Sequence, residues 1–334
     1  MEKLVIIDGN AIVHRAFHAL PPMNTKDGQL TNAVYGFFAM LLKLLNDLKP
    51  EYLIVCFDRP KPTFRKSMYV GYQAKRPKMS DDLAPQIDLL HKVLEKAKIE
   101  HFEVDGYEAD DIIGTIATQS AAKNLQAIIV SGDRDMLQLV NHKVLVLAPI
   151  SGITKMALFD EEKVKEKYGL KPAQFIDYKA LVGDSSDNYP GVAGIGPKTA
   201  SDLLNKYNTF ENLYEHISEL PENIGLKLAA DAEQAALAKK LATIVTDAPV
   251  KMDLEKAKVG KIDKVGLLEA FKELGFKSLM GRVFGNSVAF QDKDKKLSEA
   301  ESDSVKAKSA SPASPSEAGR AGGKKEISDQ LNLL

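Results

Sequence analysis

At 334 residues with 44% hydrophobic side chains, the chain is long enough for one large domain or two ordinary ones, and it can bury a real core. Its single cysteine, Cys56, excludes a disulfide framework, and no stretch approaches the ~20 apolar residues of a membrane span. Met1 to Asn10 lacks the basic and long apolar regions of a signal peptide, so a soluble cytoplasmic protein with no membrane partner is expected. The net charge of −1 conceals segregation, because seven basic residues and no acid lie between Arg59 and Lys78.

Lys3 to Ile7 reads as a buried strand that ends at the turn Asp8-Gly9-Asn10, placing Asp8 at a strand's carboxyl end. Thr31 to Leu48 reads as a helix with a broad apolar face. Tyr52 to Phe57 is the next strand, closed by Asp58, and Cys56 within it reads as a small buried hydrophobe. Arg59 to Lys78 then mixes cations with Phe64, Tyr69, Tyr72 and breakers, and does not read as core. A solvated loop is the plain reading, but cations suit phosphates and the interleaved aromatics suit bases. Asp82 to Lys98 is an amphipathic helix and Ile99 to Val104 a strand.

The stretch Gly106-Tyr107-Glu108-Ala109-Asp110-Asp111-Ile112-Ile113 places three carboxylates at the start of a helix predicted over 108–122. Glu108 and Asp111 share a face, with Asp110 alongside. One or two such acids would cap the helix and complement its dipole. Three together point to a cation. Ala127 to Val130 is another strand, followed at once by Asp133-Arg134-Asp135. Strands alternating with helices predict a mostly parallel sheet with its ligands beyond the carboxyl ends, so Asp8, Asp58 and Asp133 are expected on one edge. Lys143 to Leu147 and Ile153 to Leu158 follow as strands, and Glu161 to Tyr168 and Pro172 to Val182 as helices.

The run from Gly183 through Asp184, Asp187, Gly191, Gly194, Gly196 and Lys198-Thr199 echoes a nucleotide-binding loop, but Pro197 separates Gly196 from the lysine and a turn precedes it. A better reading makes Gly194 and Gly196 a tight turn and Pro197 a first helical position. That is a helix-hairpin-helix whose free amides and Lys198 can hold a phosphate backbone without reading sequence. Helical segments are expected to about Phe284. Beyond Phe290 the composition predicts a disordered tail ending in the small apolar cluster Gln330-Leu331-Asn332-Leu333-Leu334.

Nine acids fall at predicted strand ends and helix starts: Asp8, Asp58, Glu108, Asp110, Asp111, Asp133, Asp135, Asp184 and Asp187. All-oxygen ligands without a His or Cys cluster select Mg2+ or Mn2+ over zinc. Two such ions about 3.5–4 Å apart would activate water and stabilise a leaving oxygen, which makes phosphodiester hydrolysis the natural reaction. Glycosyltransferases and aspartyl-phosphate phosphatases also carry paired aspartates, but those readings leave the basic loop and the hairpin unexplained.

Asp8-Gly9, Phe57-Asp58, Phe64-Arg65, the Gly106–Asp111 run, Gly132-Asp133-Arg134-Asp135 and the Gly183–Ala200 run together resemble the bacterial 5′ nuclease family, over about residues 3–285. This family comprises the amino-terminal domain of DNA polymerase I and stand-alone relatives among the flap endonucleases. The resemblance implies a PIN-like α/β fold, with a mostly parallel sheet flanked by helices, a helical arch at about 59–82 and a helix-hairpin-helix subdomain. The implied divisions are 1–170 for the nuclease domain, 171–287 for the helical DNA-binding subdomain with its hairpin at 183–206, and 288–334 for the tail.

The implied activity is structure-specific 5′-to-3′ exonuclease and 5′-flap endonuclease cleavage of DNA and RNA primers in replication and repair. The implied partners are branched or nicked duplexes with a 5′ single strand and RNA–DNA primer junctions. By position, Asp8, Asp58, Glu108 and Asp110 resemble first-site metal ligands. Asp133, Asp135, Asp184 and Asp187 resemble second-site ligands, with Asp110 between the sites and Asp111 nearby. Tyr72 would stack a base and Arg76 would hold the scissile phosphate. Gln73 departs from the family's lysine, and Lys75 is the candidate replacement. Arg59, Phe64 and Arg65, with Gly191, Gly194, Gly196, Lys198 and Thr199 at the hairpin, would bind DNA, and K+ is a candidate ion at the hairpin. Gln330, Leu331, Leu333 and Leu334 resemble the pentapeptide by which bacterial replication proteins bind the sliding clamp. A monomer is expected. The competing reading is a branched-DNA-binding protein with weakened catalysis, for which Gln73 is the one supporting feature.

Overall fold

A computed structural model describes residues 1–151 and 155–283. The strands β1 (Lys3–Asp8) and β2 (Tyr52–Cys56) are apolar almost throughout and buried along nearly their whole length, as parallel strands covered on both faces must be. They join β3 (His101–Phe102), β4 (Gln126–Val130), β5 (Val144–Ser151) and β6 (Lys155–Phe159) in one sheet of order β3-β2-β1-β4-β5-β6. All neighbours are parallel except the β5–β6 pair. The chain builds outward from β1 through β2 to β3 and then returns to the other side of β1 as β4. The order therefore reverses between β1 and β4, and the crevice at such a reversal is where ligands bind in open α/β sheets.

Around the sheet lie α1 (Gly9–Ala19), α2 (Asn32–Leu48), α3 (Phe64–Met68), α4 (Ala84–Lys96), α5 (Ala109–Ala122) and α6 (Glu161–Tyr168). Alternate strand residues divide between the faces: Leu4, Ile6, Ile54, Cys56, Ala127 and Ile129 pack with Ile112, Ile113 and Ile116 of α5. Cys56 is a fully buried free thiol within this core. Helix α6 spans the predicted residues, because Asp160 accepts from the Lys163 amide at 2.8 Å at its start and Gly169 ends it with φ +68°.

The remainder is helical: α7 (Phe175–Val182), α8 (Pro197–Tyr207), α9 (Phe210–Glu215), α10 (Glu222–Ala230), α11 (Ala232–Ala242), α12 (Leu254–Ala257), α13 (Lys264–Glu273) and α14 (Lys277–Met280). Between α7 and α8 a short hairpin pairs β7 (Gly183–Asp184) with β8 (Tyr189–Pro190). A Cβ on Gly183 would lie 2.4 Å from the Gly191 nitrogen, and one on Gly191 would lie 2.3 Å from the Leu181 carbonyl. Only glycine permits this approach. One buried cluster runs from Leu4 in the sheet through Leu203 and Leu213 to Ala235.

Some boundaries shift from the sequence reading. The strand expected over 99–104 shortens to two residues, the helix expected from Asp82 begins at Ala84, and Pro172–Gln174 is a 3-10 turn preceding α7. The strand expected from Ile153 is seen from Lys155, Ile153 itself lying outside the described residues. The predicted tail and the Gln330–Leu334 cluster also lie outside them. No helix among the described residues is long and apolar enough to cross a membrane.

Candidate active site

The carboxyl edge of the sheet gathers its acids because each parallel strand ends there. Asp8 closes β1, is 4% exposed and N-caps α1, accepting from the Ala11 amide at 2.9 Å. The Ser131 hydroxyl, at the end of β4, donates to its other oxygen at 2.6 Å. Burial first, and then the charges of Asp58 and Asp133, push Asp8 up to about 7 against the hydrogen bonds that favour its ionised form. Asp58 follows β2, is open to solvent, and accepts from the Ala109 amide at 2.7 Å. Asp110 stands in the first turn of α5. Burial, with Asp133, Asp8, Asp58 and Glu108 around it, pushes its carboxyl well above the usual range. Glu108 N-caps α5 and accepts from Thr63 Oγ1 at 3.0 Å and Arg65 Nη1 at 3.3 Å.

A second group lies across the cleft. One oxygen from each of Asp135, Asp184 and Asp187 lies within 4.8 Å of the other two. Asp135 sits in a 3-10 turn (Arg134–Leu139) whose cap is Asp133, and the other two belong to the β7–β8 hairpin and its turn. The Lys179 ammonium of α7 bonds to Asp135 and, at 2.5 Å, to Asp184. One lysine has opposite outcomes on its two partners. At Asp135 burial prevails and pushes the carboxyl up to about 7, whereas at Asp184 burial is outweighed by Lys179 and Ser186, which hold it below its ordinary value. Arg76 Nη2 bonds Asp187 Oδ1 at 2.9 Å. Oxygen-only donors at this spacing, several with carboxyls raised by burial, fit hard divalent ions.

Asp111 departs from the expected ligand set. It is fully buried, and its two oxygens accept from Arg65 Nη1 and Nη2 at 2.8 Å each. They also accept from the amides of Glu108 at 3.1 Å and Val245 at 2.9 Å, leaving no room for a metal. Its sequence position next to Asp110 concealed this, because neighbouring helical residues point about 100° apart. Arg65 is corrected with it. It is 2% exposed, also donates to the carbonyls of Leu241 and Thr243, and ties the 59–82 segment to the body of the protein.

The 59–82 segment is therefore partly core, against expectation. Tyr72, expected to stack a base, is 3% exposed here, its hydroxyl within hydrogen-bond distance of Glu108 Oε2 and Asp187 Oδ2. Its ring stacks on that of Tyr189 at 6.4 Å. Two further bonds fasten the same segment, the Gln73 amide donating to the Asp187 carbonyl and Asn188 Nδ2 to the Gly71 carbonyl. Gln73 adopts φ +53°, and Lys75 is exposed. Arg59 is turned toward Glu103 and Asp105, and Phe64 is half-buried.

At the turn before α8, Gly194 takes φ +75°, Gly196 caps the helix and Pro197 opens it. Lys198 is exposed and Thr199 half-buried. The Ala193 amide of this turn donates to Asp231 at 2.7 Å. Gly191 meets a packing need, as its contact with Leu181 shows.

Sequence reasoning missed Lys179, Ser131, Thr63 and Tyr189. Lys179 carried a signal, since it interrupts an otherwise apolar helix end just before Asp184. Tyr189 is 3% exposed with a hydroxyl lacking a hydrogen-bond partner among the described residues. His14 of α1 also faces Asp58 and Arg76, and burial holds its imidazole below the ordinary value.

The sequence matches the 5′-3′ exonuclease N-terminal resolvase-like domain over residues 3–169 and the 5′-3′ exonuclease C-terminal SAM fold over residues 170–265. A 5′-3′ exonuclease of Aquifex aeolicus is 39% identical over 283 residues, covering 85% of this chain and 96% of that protein. DNA polymerase I of Bacillus subtilis is 41% identical over 297 residues, which are 89% of this chain but 34% of the polymerase. The chain thus spans about a third of the length of the polymerases it matches. Among solved structures, the T5 D15 protein crystallised with metal ions aligns with a TM-score of 0.60 at 20% identity, over 84% of this chain and 97% of that one. Human GEN1 in complex with Holliday junction DNA aligns at 0.57 and 16%, over 82% and 68%. These likenesses show the fold, a PIN-like resolvase sheet with a SAM-like helical part, and the family matches carry the assignment: the chain belongs to the 5′-3′ exonuclease family.

Proposed function

We propose that the chain is a metal-dependent 5′ nuclease that cleaves phosphodiesters where a 5′ single strand leaves a duplex, in DNA and in RNA primers. The observation that carries this reading is the gathering of acids around Asp110 at the sheet edge and of Asp135, Asp184 and Asp187 in a second cluster, within a fold shared with the T5 D15 flap endonuclease, whose complex holds DNA and metal ions. Asp8, Asp58, Glu108 and Asp110 would hold one ion and Asp133, Asp135, Asp184 and Asp187 a second, both Mg2+ or Mn2+. Such a pair, when bound, supplies a hydroxide nucleophile and charge stabilisation for an in-line displacement.

The protein's own residues do the rest. Ser131 orients Asp8 and the Ala109 amide orients Asp58, so both present fixed oxygens to the cleft. Arg76, half exposed and bonded to Asp187, would take the scissile phosphate in exchange for that acid. Tyr72 holds Glu108 and Asp187 in register until the substrate arrives. The hairpin around Gly194, with Lys198 and a K+ ion, would grip duplex backbone, the helical subdomain being taken as 171–287. Gln330, Leu331, Leu333 and Leu334 would bind a sliding clamp, recruiting a cytoplasmic monomer to replication sites.

The test is cleavage of a 5′-labelled flap duplex with Mg2+, with EDTA, and by Asp133→Asn. Metal-dependent release at the single-strand junction, lost in the variant, is expected. Tight flap binding without release by the wild type would instead make the chain a binding module, with Gln73 the first suspect.

A further inference from the structure

Beside the acidic edge lies an open pocket of about 560 Å³ that the proposed chemistry does not use. Its lining includes Thr63, Phe64, Ser67, Tyr107, Val245 and Asp247. The two rings meet edge to face at 6.0 Å, and the Phe64 amide donates to the Gly106 carbonyl at 3.1 Å, tying the two ring-bearing loops together. The Arg65 guanidinium lies 4.6 Å from the centre of the Phe64 ring and is itself fixed by Asp111. The far wall is anchored too, because the Val245 amide donates to Asp111 at 2.9 Å and the Ala248 amide to Thr115 at 3.0 Å. These walls are preorganised, so a ligand would not have to order them.

The lining also says what the ligand is not. It offers aromatic faces, a serine hydroxyl and one exposed carboxylate, Asp247, and includes no lysine or arginine. A phosphate would be repelled there. A nucleobase fits, since its π-face stacks on Phe or Tyr and its amino edge donates to a carboxylate. Location supports the same ligand: Thr63 in the lining bonds Glu108, and Tyr107 directly precedes it in sequence. A base held here belongs to a nucleotide next to the carboxylates.

We propose that this pocket captures one unpaired base at the strand junction, with Asp247 favouring an amino-bearing edge such as that of cytosine. The proposal rests on the reading of the chain as a nuclease for branched DNA. It is tested with flap duplexes carrying 2-aminopurine, whose fluorescence falls on stacking, at each unpaired position beside the junction in turn. Binding is measured in Ca2+ to hold off cleavage. The wild type should quench one position. Phe64→Leu should lose that quenching and bind roughly 5- to 150-fold more weakly, the 1–3 kcal/mol worth of one stacked base. Asp247→Asn, at an exposed residue, should keep the quenching and lose the preference for cytosine over thymine at that position, which also guards against a folding defect in Phe64→Leu. Tight binding with no quenched position, or quenching that survives Phe64→Leu, overturns the pocket. Failure of the wild type to bind any flap overturns the underlying reading and the pocket with it.

Discussion

Asp8 takes a backbone amide and a serine hydroxyl on its oxygens and has no cation bonded to it among the described residues, whereas Asp135 and Asp184 share the ammonium of Lys179. At the first, burial and the neighbouring acids raise Asp8 to about 7 and push Asp110 well above the usual carboxylate range. The second carries a resident counter-ion, which holds Asp184 below its ordinary value although burial still raises Asp135 to about 7. The contrast implies that a cation added at Asp8 and Asp110 meets no bonded ammonium among the described residues, whereas one added at Asp135 and Asp184 must displace Lys179.

A third disposition of acid sets the scale for the largest effect. Asp111, one residue from Asp110, is spent on a buried pair with Arg65. Asp111→Asn should cost about 3–5 kcal/mol of stability, because it strands the guanidinium without its partner. Chemical denaturation should show this as a lower midpoint, with cleavage by the remaining folded protein falling much less. Asp110→Asn should do the reverse, leaving the denaturation midpoint the same or higher and lowering the cleavage rate on the order of 10²–10³-fold, as losing one preorganised charge does in other enzymes. If the two variants behave alike, the division between structural and metal-facing acids fails.

A milder effect follows from pH. Asp8 and Asp135 sit at about 7 when folded but in the usual carboxylate range when unfolded. Between those values the folded protein binds more protons, so their contribution to stability is present at low pH and lost as pH rises through about 7. Metal-free protein should therefore melt at a lower temperature at pH 8 than at pH 6 from these groups. Mg2+ should raise the melting temperature more at pH 8, where it competes with fewer protons. A larger Mg2+ effect at pH 6 would contradict the assignment of these acids to metal binding.

Much of this was legible in the sequence. Apolar runs ending in Asp8, Asp58 and Asp133 predicted parallel strands, and parallel strands deliver their ends to one edge. What could not be read were pairings between distant residues. Arg65 finds Asp111 46 residues away, and Tyr72 finds Asp187 115 residues away. A basic, aromatic segment met in isolation reads as solvated, and nothing local reveals that two of its members are drawn into the protein by acids elsewhere. Lys179 left a trace in the sequence beside Asp184, but its bond to Asp135, 44 residues away, did not.

The most direct test of the contrast is calorimetric titration of the metal-free protein with Mn2+ at pH 8, alongside Lys179→Ala. The account predicts two classes of site in the wild type, the weaker one strengthening in the variant because its ammonium competitor is gone, and the stronger one unchanged. Two equal sites in the wild type, or a weaker class that Lys179→Ala leaves unaltered, would contradict it.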